Sequence, residues 1–219
     1  MPALPQDPTL DEIREGLADG IAANAAFDGW GDAARDAAAD AAGVDRDVAR
    51  VAFPGGAVDM IAAWFAAIDR AMVEKLPPET LATMKIRAKI TTLVEARLDA
   101  ISPNREALRR ALAILAMPQN LVRGAKLGWH AADLMWRLAG DTATDYNHYT
   151  KRAILMGIYS ATLAVFVEDE SEGKAETRAF LDRRIEGVMK FEKAKARLLQ
   201  KREGFDVARF LGRLRYPAR

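Results

Sequence analysis

The chain has 219 residues and no cysteine, which excludes disulfides, zinc–thiolate centres and thiol nucleophiles. Aromatic residues are scarce, at 7% of the total, while alanine dominates. Alanine is the best helix former and a poor strand residue, so the composition points to closely packed helices. The first stretch, MPALPQDPTLDEIREG, has neither the apolar core of a secretory signal nor the basic run of a transit peptide. The longest uncharged apolar run, AILMGIYSATLAVFV at 153–167, has 15 residues. It falls short of the roughly 20 needed to cross a bilayer and reads as a buried helix. These absences predict a cytosolic protein with one well-packed core.

The net charge of +1 hides an asymmetry: residues 1–60 carry twelve acids against four bases, and residues 195–219 eight bases against two acids. An acidic head and a basic tail imply different partners for the two ends.

Helical periodicity recurs along the whole chain, and no segment sustains strand alternation. After a flexible lead at 1–8, Thr9 stands three residues before Glu12 in a capping-box pattern, followed by Leu10, Ile13, Leu17 and Ile21 at helical spacing. Short helices follow in GWGDAARDAAADAAG and VDRDVARVAF, and a longer one in GGAVDMIAAWFAAIDRAMVEKL ends at Pro77-Pro78. Residues 9–76 thus read as a helix-turn-helix-like head. The body, 79–200, continues with one helix over ETLATMKIRAKITTLVEARLDAI, one over NREALRRALAILAM, and one ending at Gly140, a residue suited to a helix C-terminus. A further helix starts at TATDYNHYTKRAIL, with Thr142 placed as a cap three residues ahead of Asp145. The last, KAETRAFLDRRIEGVMKFEKAKARLL, is amphipathic and charged. The fold class expected is all-α.

A helix-turn-helix head suggests DNA, but DNA affinity comes largely from cations neutralising phosphates. Residues 28–50 carry six aspartates against Arg35, Arg46 and Arg50, so the surface that would meet a duplex repels it, and no nucleic-acid partner is expected. The region 129–153 collects both histidines, two tryptophans and several acids, which suggests chemistry. Asp133 lies one helical turn from His130, yet two histidines without cysteine or an H-E-x-x-H pattern do not make a metal site. No nucleophile elbow, phosphate loop or dinucleotide fingerprint is present. The expectation is no catalytic residue, no metal and no cofactor, with the histidines as structural hydrogen-bond partners.

Two other stretches suggest contact with lipid. Along 153–167, Ala153, Gly157, Ala161 and Ala164 form a strip of small residues beside Ile154, Ile158 and Val165. Such a strip serves close helix packing, or leaves room for a long apolar ligand between helices. In the tail, 201–219, Val207, Phe210, Leu211 and Leu214 share one arc of a helix, with Asp206, Arg209 and Arg213 opposite. A basic amphipathic helix of this kind either docks on its own domain or lies in the plane of an anionic membrane, and the excess of bases favours the membrane. Phe205, Val207, Arg209, Phe210, Leu211, Arg213 and Leu214 are its expected membrane-binding residues.

The stretch WHAADLMWRLAGDTATDYNHYTKRAIL resembles the family of ubiquinone-biosynthesis accessory proteins, lipid-binding partners of demethoxyubiquinone hydroxylase. AFDGWGDAA, FPGG and FLDRRIEGVMKFEK are similar too, and the resemblance runs from about residue 10 to 200. It implies a TetR-like bundle without DNA binding, an isoprenoid or quinone lipid in a hydrophobic pocket, and a non-enzymatic role beside the hydroxylase. It also implies a C-terminal helix on an anionic membrane surface. On this sequence the implied partner patch is Asp133, Trp136, Arg137 and Asp141, with Ala139 and Gly140 between, and the lipid-facing residues are Met135, Ile154, Gly157, Ile158 and Ala161. Mitochondrial members carry a transit peptide, so the resemblance implies a bacterial-type member, cytoplasmic and peripheral on the inner membrane; whether it pairs as a homodimer is left open by the sequence.

Overall fold

The computed structural model describes residues 4–144 and 146–203, with side chains described through residue 190. The tail residues expected at the membrane, Phe205 through Leu214, lie outside the described residues.

Ten α-helices follow one another in the described residues, joined by short turns, with no strand among them. Helix α1, Leu10–Asp28, is opened by the Thr9–Glu12 capping box in full: the Thr9 hydroxyl caps the Glu12 amide while the Glu12 carboxylate accepts from the Thr9 amide at 2.8 Å. Helices α2, Asp32–Ala42, and α3, Arg46–Ala52, complete the head; Gly43 ends α2 at φ 69° and Asp45 caps α3. The long α4, Ala57–Lys75, packs on α1 on one side. On its other side it meets α6, Ile86–Ile101, and α8, Leu121–Leu138. One core therefore runs from Ile13, Leu17 and Ile21 through Trp64 and Leu93 to Leu163 and Phe166. At the start of the chain, Leu4 packs against Gly16 of α1.

The segment expected as one helix over 79–101 is two: α5, Pro78–Ala82, and α6, separated by a turn at Thr83–Lys85. The reason lies in the register. On an unbroken helix Leu81 and Ile90 would point about 180° apart at 100° per residue. Both are buried, and the break lets each turn to the core separately. Helix α7, Arg105–Leu115, precedes α8, and the bundle closes with α9, Tyr146–Glu168, and α10, Ala175–Glu203. By length and composition α9 is the one described helix that would suffice to cross a membrane. In the bundle, however, its Leu155, Tyr159, Leu163 and Phe166 face the core, against α7, α8 and α10.

The helix-turn-helix surface has no free arginine among its three. Arg35 is buried and paired with Asp32 and Asp36, Arg46 binds Asp40, and Arg50 binds Asp47. The aspartates that make the head acidic also hold its cations in place.

Candidate functional site

The site is built at the junction of α8 and α9. Helix α8 ends in a Schellman turn: Gly140, at φ 90°, donates to the Arg137 carbonyl at 3.0 Å, and Asp141 donates to that of Trp136 at 3.0 Å. A side chain at that φ would strain the turn, so the glycine is required here. Lys89 of α6 reaches the Ala139 carbonyl at 3.2 Å and ties the turn to the body. Helix α9 begins only at Tyr146, so Thr142 lies in the connecting loop instead of capping the helix. The loop is held from α9: Lys151 and Arg152 take the Asp141 carboxylate, and His148 Nδ1 lies 2.9 Å from the Ala143 carbonyl. Asp145, the other half of the expected capping pattern, is outside the described residues.

Arg152 is the centre of this junction. It is 1% exposed, which is costly for a cation unless its donors are matched. They are: Nε donates to Asp133 Oδ1 at 2.6 Å, and one Nη to Asp141 Oδ2 at 3.0 Å and to the His148 carbonyl at 3.1 Å. Each carboxylate then has a second cation, Arg137 on Asp133 at 3.1 Å and Lys151 on Asp141 at 2.7 Å. Burial opposes ionisation of both aspartates, but the Arg152 hydrogen bond to Asp133 and the Lys151 and Arg152 hydrogen bonds to Asp141, with the neighbouring positive charges, hold both below the usual carboxylate range. For Arg152 burial likewise disfavours the charge, and the two carboxylates outweigh it and raise its basicity.

Trp136 is half-buried, its indole N–H donating to the Lys151 carbonyl at 3.0 Å and its ring 5.4 Å from the Lys151 ammonium. Its ring is also a wall of an apolar cavity of about 220 Å³, between α6, α9 and α10. Ile86, Ile90, Ile154, Ile158, Ile185 and Met189 contribute most of the apolar lining. Ile154, Ile158 and Val188 also border a more open groove of about 450 Å³ along the α9–α10 seam, which includes Gly157, Ala161 and Gly187.

The glycines of α8, α9 and α10 differ in what surrounds them, and Gly157 and Gly187 are exposed. A Cβ built on Gly157 or Gly187 would meet nothing within 4 Å, whereas one on Gly128 of α8 would come 3.1 Å from Met156 of α9. Close helix packing is thus served by Gly128, and Gly157 opens onto the groove. Among the expected lipid-facing residues, Ile154 and Ile158 line both spaces, and Gly157 and Ala161 line the groove. Met135 is fully buried in the core and borders neither. Of the expected partner patch, Asp133 and Asp141 face inward to Arg152, Arg137 remains exposed, and Trp136 joins patch to cavity.

Arg152, Lys151 and the α6 and α10 walls were not singled out from the sequence. The available signal was a basic pair, Lys151-Arg152, at the head of an otherwise apolar helix, which asks for buried acids. The two histidines take separate partners: His148 the Ala143 carbonyl, His130 Nε2 the Asp69 carboxylate at 3.7 Å. Asp69 in turn pairs with buried Arg97, whose Nε donates to Tyr159 Oη at 2.9 Å. Among the described residues no group of three or more potential ligands is placed to hold a metal.

Residues 121–192, from α8 into α10, match the model of the COQ9 family. This is a narrower span than the likeness noted from about residue 10 to 200. The "Ubiquinone biosynthesis protein COQ9, mitochondrial" of Rattus norvegicus is 45% identical over 96 residues, 44% of this chain and 31% of that protein. The Homo sapiens protein of the same name is 41% identical over 96 residues, 44% of this chain and 30% of its own length. That of Schizosaccharomyces pombe is 27% identical over 140 residues, 64% of this chain and 56% of its own. The chain thus spans about a third of the length of the mammalian relatives it matches. Among solved structures, a TetR transcriptional regulator from Nitrosomonas europaea superposes with a TM-score of 0.62 at 21% identity, covering 79% of this chain and 95% of that one. At that identity the likeness establishes the fold, an all-α TetR-like bundle. Residues 121–192, which supply α8, α9 and much of α10 to the site, are thus similar to the COQ9 family.

Proposed function

We propose that this protein serves ubiquinone biosynthesis as a non-enzymatic accessory protein. It holds an isoprenoid or quinone-type lipid in the cavity between α6, α9 and α10 and presents it at a membrane to demethoxyubiquinone hydroxylase. The observation that carries this reading is the apolar cavity walled by Trp136 and continued by a groove where Gly157 and Gly187 leave space that helix packing does not use. At about 220 Å³ the cavity is smaller than a typical ligand pocket, so a long tail continues along the groove. The corner bearing Asp133, Trp136 and Arg137 is the surface proposed for the hydroxylase, with Trp136 as the anchor. The relatives carry ubiquinone biosynthesis and mitochondria in their names, which supports the pathway; the membrane is reached, in this reading, through the basic tail. Gentle purification, organic extraction and mass spectrometry test the reading: co-purifying isoprenoid or other lipid is expected, and its absence removes the support for the cavity's role.

A second reading, a ligand-responsive transcription regulator, is favoured by the likeness to the Nitrosomonas europaea structure. Against it stands the pairing of Arg35, Arg46 and Arg50 with aspartates of the head. A mobility-shift assay separates the two: the accessory reading expects no shift even at low salt, where a phosphate-binding protein binds most strongly.

A further inference from the structure

The cavity wall changes character along α9. Asn147, Thr150 and Lys151 line it on the first turns, beside Trp136, and Ile154, Leu155 and Ile158 on the turns that follow. At 1.5 Å per residue the polar and apolar ends lie about 16 Å apart along the helix. A pure hydrocarbon offers no acceptor to the N–H groups of Lys151 at such an end. An amphiphile with a hydrogen-bond-accepting head does.

Most donors at this end are already committed. The Thr150 hydroxyl donates to the Tyr146 carbonyl at 2.7 Å, and the Trp136 indole N–H to the Lys151 carbonyl. Lys151 is different. Asp141 fixes its ammonium group at 2.7 Å, 5.4 Å from the Trp136 ring, and an ammonium has three N–H donors. The carboxylate orients the group without exhausting it. Resting on the lipid-binding reading above, we propose that Lys151 is the specificity-determining donor for the head group of an isoprenoid quinone or phenol. The ring lies against Trp136 with an oxygen accepting from Nζ, and the tail runs past Ile154 and Ile158 into the α9–α10 groove. The reactive end of the lipid is then held at the corner bearing Asp133, Trp136 and Arg137, and the inert end away from it.

The test compares two probes on the full chain by displacement of an apolar fluorescent dye: a short-chain ubiquinone, and an isoprenoid hydrocarbon of matched tail length. Lys151→Met is expected to weaken the quinone about tenfold, the loss appropriate to a hydrogen bond from a charged donor, and to leave the hydrocarbon within about twofold. Lys151→Arg, which keeps a cation beside Asp141, is expected to restore most quinone affinity. Quinones quench nearby tryptophans, so the wild-type fluorescence loss on quinone binding should shrink in Trp136→Phe. Equal weakening of both probes by Lys151→Met would overturn the proposal by reducing Lys151 to a part of the wall. Displacement by neither probe in the wild-type protein would overturn the lipid-binding reading itself, and the proposal with it.

Discussion

Replacing Arg152 by methionine removes a buried cation from between two carboxylates while filling most of its volume. The structure sets the magnitude. Asp133 keeps Arg137 and Asp141 keeps Lys151, so neither acid is left wholly uncompensated, and the loss belongs at the lower end of the 3–5 kcal/mol typical of a broken buried pair, about 3 kcal/mol. For a chain of this size that lowers Tm by on the order of 6–12 °C. The pH dependence follows from the same contacts. Both aspartates are held below their ordinary values, so their contribution is complete above the unfolded carboxylate pKa and is lost as pH falls through the lower folded values. Wild-type stability should therefore decline on acidification below about pH 4, and Arg152→Met should decline less steeply there. Urea melts followed by circular dichroism, at neutral pH and along an acid series, measure both effects. A loss under about 1 kcal/mol at neutral pH, with an unchanged acid slope, would refute the claim that Arg152 organises the junction.

The glycines of α8 and α9 should respond in opposite ways. Gly157→Ala is expected to stabilise by about 0.5–1 kcal/mol, because the new methyl meets open space and helical glycine is entropically unfavourable; Gly128→Ala should gain nothing, since Met156 must first move. Gly157→Leu should keep the fold by circular dichroism yet lower the lipid recovered by extraction, and unchanged lipid content would show that the groove is not occupied. Trp136→Ala should weaken hydroxylase binding in a pull-down by tenfold or more, the order expected for an interface anchor, and retained binding would put the docking surface elsewhere. Removing residues 204–219 should abolish flotation with anionic liposomes, and persistent flotation would deny the tail its membrane role.

The helical fold was legible because its signals are local. The Thr9–Glu12 box, Gly43 and Gly140 mark helix ends by chemistry confined to a few residues, and each does so in the structure. The break at Thr83–Lys85 was not legible, since nothing in the local sequence stops a helix there. It follows from where Leu81 and Ile90 must point, which only the finished core determines. The candidate site divides in the same way. Asp133, Trp136 and Asp141 are conspicuous in sequence as polar and aromatic residues crowded into one stretch, and they do converge. Asp133 and Asp141 meet on Arg152, 11 residues beyond Asp141, and Trp136 on the neighbouring Lys151; both become visible only when α9 folds back along α8. Met135 and Ile154 look equally apolar in sequence; which of them borders a cavity depends on α6 and α10.

The acidic head, its three arginines paired with aspartates, has a structural task, and the packing shows which. Trp30, between α1 and α2, donates its indole N–H to the Ala107 carbonyl of α7 at 2.9 Å, and its ring lies 5.5 Å from that of Trp64 on α4. Helix α1 buries Ile13, Leu17 and Ile21 against its neighbours, and α4 carries that core on to α6 and α8. Helices α6 and α8 are the ones that position Ile86, Ile90 and Trp136 around the cavity. Stripping α1 to α3 away would expose the face of α4 that packs on α1. The head is therefore part of the frame on which the site stands, and its aspartates, paired with Arg35, Arg46 and Arg50, leave little to offer a nucleic acid.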